Sequence, residues 1–183
     1  FESRMWRARG NQRQAIEALH QAVERDAGFL PGVKMYLSAL IDAGMHQRVA
    51  AVVDGYKETA ELEAQLQAYR ARDLASQGRK VQADKLFLET LSGATGGAID
   101  EAVGQLSRAY GPAPAAEKLS TWLDAIEGPR WRLTWQLATL YLNAGELSAA
   151  VENLKKAREL ADSPQQRAIA TRSLGMTYSL MQD

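Results

Sequence analysis

The chain has 183 residues, 46% of them apolar and 24% charged, with 22 basic residues balanced by 22 acidic ones. Zero formal net charge gives no bulk attraction to nucleic acid or an anionic membrane. The lack of cysteine excludes disulfides and thiolate metal sites but leaves bacterial cytoplasm and periplasm equally open.

Taken in order, the sequence alternates amphipathic helices with short turns. Glu2 to Arg9 reads as the end of a first helix, and Gln12 to Arg25 as its partner, apolar at Ala15, Ile16, Leu19 and Val23. Helices follow from Pro31 to about Ala43, His46 to about Thr59, Glu61 to Gln77 and Lys80 to Leu91. Ser92-Gly93-Ala94-Thr95-Gly96-Gly97 looks like a flexible linker. It lacks the lysine, the following Ser/Thr and the preceding strand of a phosphate-binding loop. Further helices run from about Ala98 to Tyr110, Ala113 to Ile126, Pro129 to Asn143, Leu147 to Leu160, and onward from Pro164. All five prolines (31, 112, 114, 129 and 164) fall between helices or in a first turn, where a missing N–H costs little. Ser163-Pro164-Gln165-Gln166 has the form of a capping box. No apolar run approaches the roughly 20 residues that cross a bilayer, and FESRMWRARGNQR is too charged for a signal peptide.

A period underlies this order. Gly10, Gly44, Gly78, Gly111 and Gly145 are spaced by 34, 34, 33 and 34 residues. Five residues after each stands Ala15, Val49, Ala83, Ala116 or Ala150, and nine after most stands Leu19, Val53, Phe87 or Leu154. The fourth copy places Ser120 there instead. Glycine ends a helix at positive φ without a Cβ clash, and small residues on facing helices let the axes approach. One reversal per unit of this length is the signature of stacked helical hairpins. The linker at Ser92 to Gly97 is expected to absorb the one-residue deletion.

At these positions the chain resembles the tetratricopeptide repeat family. From Trp131 the motif reads Leu137, Ala138, Tyr141, Gly145, Ala150, Leu154 and Ala157, with the late proline displaced to Pro164. Leu174, Gly175 and Tyr178 match the first half of another copy; Ser3, Trp6, Gly10, Ala15, Leu19 and Ala22 match the back of an earlier one. The middle copies depart from the pattern at Tyr56, Thr90 and Ser107. The resemblance implies an all-α solenoid, a right-handed superhelix of five to six hairpins in a single domain. Its repeats would lie at about 1–29, 30–63, 64–96, 97–130, 131–164 and, in part, 165–183. Because the outer copies are truncated, a longer parent protein is expected. Apolar surface near Trp6 and near Leu174, Tyr178 and Met181 would then favour end-to-end self-association.

No catalytic, metal or cofactor constellation stands out. His20 and His46 have no cysteine or carboxylate at ligand spacing, and Glu58, Glu61 and Glu63 read as a solvated boundary between hairpins. The resemblance implies instead a non-enzymatic scaffold that binds a peptide or helix of a protein partner in a concave groove. It turns the second, fifth, ninth, twelfth and thirteenth positions of each first helix toward that groove. Seven of these are basic (Arg4, Arg7, Lys34, Arg72, Arg108, Arg132 and Arg172) and two acidic (Asp42 and Glu101). Arginine forks pair well with carboxylates, so an acidic ligand is expected. Trp135, Thr139 and Asn143 complete the candidate surface. The alternatives are a periplasmic segment of a bacterial exopolysaccharide exporter, contacting polysaccharide or a modifying enzyme, and a helical-repeat RNA-binding module. Against the last stand the 34-residue period and the small-residue pairs, although the arginines keep RNA open as a minor option.

Overall fold

The computed structural model describes residues 11–26, 28–56 and 60–182. Among the described residues there are ten helices and no strand. They are α1 (Gln12–Arg25), α2 (Leu30–Asp42), α3 (His46–Gly55), α4 (Ala60–Ser76), α5 (Lys80–Gly93), α6 (Gly96–Tyr110), α7 (Pro112–Trp122), α8 (Arg130–Asn143), α9 (Leu147–Glu159) and α10 (Pro164–Leu180). The expected helix Glu2 to Arg9, together with Gly10, Trp6, Arg4 and Arg7, lies outside the described residues, as does Glu58.

Three of the reversals are built identically. Gly44, Gly78 and Gly145 take φ of +68°, +78° and +79°. At each, the glycine N–H donates to the carbonyl three residues back and the next N–H to the carbonyl five residues back. These bonds are Gly44 to Ile41 and Met45 to Leu40, Gly78 to Ala75 and Arg79 to Leu74, Gly145 to Leu142 and Glu146 to Tyr141, all between 2.9 and 3.0 Å. Orphan carbonyls of the ending helix are thereby satisfied before the next helix begins. Nothing lies within 4 Å of where a Cβ of residue 145 would stand, so the cost of Gly145→Ala is purely conformational. That variant is expected to lose about 1–2 kcal/mol. Gly175, inside α10 and equally open, should behave oppositely, Gly175→Ala gaining roughly 0.5–1 kcal/mol. Urea unfolding of both variants checks the pair.

The fourth reversal is tighter. Gly111 alone separates α6 from α7, serving as C-cap of one and N-cap of the other at φ +87°. Helix α7 therefore starts one residue nearer its glycine than α3, α5 and α9 do. Counted from the helix start, the buried pair is Ala115 and Leu119, both 0% exposed, matching Ala83 and Phe87 of α5. This shift explains why Ser120 breaks the pattern. Helix α7 ends at Trp122 rather than near Ile126. Ala125 and Ile126 instead donate to the Trp122 carbonyl in turns, and Ile126 drops into the core.

The segment Ser92 to Gly97 is not a flexible linker. Ser92 and Gly93 finish α5, Gly96 and Gly97 open α6, and only Ala94 and Thr95 lie between. Ala94 is buried, with Ser92 Oγ bonded back to the Leu88 carbonyl. The capping box at Ser163 forms with one change. Ser163 Oγ accepts from the Gln166 N–H, while Gln166 Oε1 accepts from the N–H of Asp162 rather than that of Ser163.

Substantial helix contacts join neighbours one or two apart in sequence, and α4 packs against both α5 and α6. The core accordingly runs as successive clusters. One joins α1 to α4 around Tyr36, Leu40 and Val53; the next joins α4 to α8 around Phe87, Leu106 and Leu119. Smaller ones join α8 to α10 around Leu154, Leu174 and Trp131. Ala15, Val49, Ala83, Ala116 and Ala150 are all buried. No helix is long and apolar enough to cross a membrane among the described residues.

Candidate functional site

The first helices of successive hairpins carry a connected polar row. Lys34 Nζ on α2 donates to Glu101 Oε2 on α6 at 2.6 Å, 67 residues away. Gln105 Nε2 donates to the other Glu101 oxygen at 2.9 Å, and the Tyr69 hydroxyl donates to Glu101 while accepting from Ser38. Arg72 on α4 donates to Asp42 on α2 at 2.6 Å and to Gln105 Oε1 at 3.4 Å. Seven polar side chains from three hairpins thus satisfy one another, with the fully buried Gln105 linking Arg72 to Glu101.

The electrostatics follow from this packing. Burial acts to raise the Glu101 pKa, but donors from Lys34, Gln105 and Tyr69 outweigh it and leave it below its ordinary value. Tyr69 moves the other way, pushed up by burial and by the adjacent Glu101 charge. Further along, Arg132 on α8 grips Asp100 through Nε and Nη2, and Gln136 Nε2 donates to the same carboxylate. Hydrogen bonding to Asp100 raises the Arg132 pKa against the opposing effect of burial.

The sequence-predicted residues therefore divide. Lys34 and Glu101 pair with each other, Arg72 with Asp42 and Arg132 with Asp100. Arg108 and Arg172 are exposed and have no ion pair among the described residues. Trp135 is half-buried, its ring parallel to Trp131 within 9° at a centroid distance of 6.2 Å. Its Nε1 reaches Ser173 Oγ only at 3.5 Å. Thr139 Oγ1 donates to the Trp135 carbonyl, and Asn143 is exposed at the end of α8.

On α10, Ile169, Arg172, Met176 and Leu180 recur at helical spacing, with Met176 65% and Leu180 58% exposed. Leu174, expected to be exposed, is instead buried against Ala138 and Leu154, while Tyr178 and Met181 are exposed. The α8–α10 face thus offers a half-open indole, an exposed thioether and an uncommitted guanidinium. The α2–α6 face offers polar groups already satisfied.

Three contributors escaped the sequence reading. Asp100, next to Glu101, holds Arg132; its signal was an opposite charge 32 residues away, close to one period. Tyr69 carried no such signal. Nor did Asp73, 4% exposed, which meets His46 Nδ1 at 2.7 Å and accepts from Gln77. His20 stacks on Tyr36 and lies 3.5 Å from Glu24. No group of three or more His, Cys, Asp or Glu is placed to hold a metal ion among the described residues. No protein-family model matches the chain, and no curated protein matches it in sequence.

Proposed function

We propose that this chain is a non-enzymatic interaction module of the tetratricopeptide kind, its hairpins stacked in a right-handed superhelix with a concave groove. The groove would take a peptide or helix carrying carboxylates beside an apolar side chain. The observation carrying this reading is the exposed α8–α10 face, where Trp135, Met176 and Leu180 lie with the uncommitted Arg172. The recurrent glycine turns support the family reading. A preformed surface binds without ordering itself, which favours affinity at modest contact area. The aromatic and thioether groups would supply most of the affinity and Arg172 the preference for acid, since an exposed ion pair adds only about 0.2–1 kcal/mol.

Fluorescence anisotropy against a panel of labelled acidic-apolar, basic-apolar and acidic-polar peptides tests this. Acidic-apolar peptides should bind best and weaken steadily with added salt. Trp135→Ala should cost more than Arg172→Ala or Arg108→Ala. Arg132→Ala should act through stability, because it removes the guanidinium that grips Asp100. Equal binding of all three peptide classes, indifferent to salt and to these variants, would overturn the reading.

A further inference from the structure

The opposite side of α8 carries a separate feature. Arg130, Thr134 and Leu137 follow one another at spacings of four and three, so they share a stripe. The residues of the proposed groove on this helix, Arg132, Trp135 and Thr139, are displaced by about half a turn at 100° per residue. Along the first stripe runs a cleft of ≈ 470 Å³. Its far walls are α9 and the end of α7.

The cleft lies beside the end of α7. Helix α7 starts early, stops at Trp122, and hands over to non-helical residues 123–129. Leu123, Leu137 and Leu160 line an apolar gap there. Leu160 is 44% exposed, which for a leucine beside a cleft is unused apolar surface. Around the rim stand Arg130, Lys156 and Glu159. Arg130 is committed, donating to the Leu123 carbonyl and lying 3.5 Å from Asp124. Lys156 is not: its ammonium has neither ion pair nor hydrogen bond among the described residues.

We infer that this cleft is a binding site for a small amphipathic carboxylate, its aliphatic part against Leu123, Leu137 and Leu160 and its charge on Lys156. The volume falls within the roughly 300–1,000 Å³ of small-ligand sites. The apolar walls select an alkyl or aryl body, and the single free ammonium selects an anion over a neutral or cationic head. The site shares no side chain with the proposed groove, so the two stand or fall independently.

The test is a titration of the 183-residue chain with decanoate, and separately with neutral decanol, followed by amide NMR shifts. Decanoate should move the amides of Ser120, Thr134, Asn153 and Lys156 in saturable fashion. Lys156→Gln should weaken decanoate by up to about fivefold, the most an exposed pair supports, and leave decanol unchanged. Ser120→Phe, at an exposed wall position, should fill the cleft and abolish both responses while the far-UV spectrum stays helical. Shifts confined to Met176 to Met181, or no saturable shift at the cleft amides, would overturn the site. A Lys156→Gln chain that bound decanoate as tightly as the parent would overturn its anionic preference.

Discussion

Ala150→Trp should lower the unfolding free energy by about 3 kcal/mol or more, at the upper end of what overpacking costs. Ala150 is completely buried beside Val151 and Leu154, in the helix that returns against α8 after the Gly145 turn. An indole there must push α9 off α8, and α9 also carries Ala157, the partner of Trp131 in the next cluster. Damage at one contact therefore spreads to α10. With total stabilities of about 5–15 kcal/mol, the loss should be plain in a urea titration. Ser148→Trp, two residues earlier and exposed, is the control, expected within about 0.5 kcal/mol of the parent. Equal midpoints for the two variants would show that the helix faces are assigned wrongly.

Glu101→Ala should be nearly as damaging, at about 3 kcal/mol, for a different reason. It deletes the acceptor on which Lys34, Gln105 and Tyr69 converge, and buried donors left without partners cost about 1–3 kcal/mol each. Glu101→Gln keeps the shape and should cost less. A double-mutant cycle with Lys34→Met should return a coupling of roughly 0.5–3 kcal/mol. The same group sets an acid dependence. Because the folded Glu101 pKa is lowered, its contribution is complete above the ordinary carboxylate value near 4.5. It is lost as pH falls through the lower, folded value. Acid titration of the parent should therefore show a loss of stability in that window which Glu101→Gln lacks. Parallel curves would remove Glu101 as the cause.

The helices were legible because their signals are local. Glycines, prolines and three-four apolar spacing bracket Gln12–Arg25 or Leu147–Glu159 almost to the residue. Ala150 and Phe87 could be read as buried for the same reason. What failed was read from composition without packing. Ser92 to Gly97 has the residues of a linker, yet burial of Ala94 and the helix on either side hold it in place. The polar row was least legible. Its charges were visible at Lys34, Arg72 and Arg132, but which acid each meets depends on helix rotation and on distances of one or two periods. Counting Asp42 and Glu101 while omitting Asp100 made the face look more basic than its geometry leaves it. His46 and Asp73, 27 residues apart, escaped for the same reason.

The Lys34–Glu101 bridge reaches past α4 to link hairpins that are not adjacent. A row of hairpins coupled only to nearest neighbours comes apart one unit at a time when its ends are drawn out. Here, detaching α2 also breaks a bond to α6, and Arg72 and Tyr69 tie α4 into the same knot. Under tension the stretch from α2 to α6 would resist as one rivet and then yield in a single long step. The α8–α10 end, without such a bridge among the described residues, would pay out gradually.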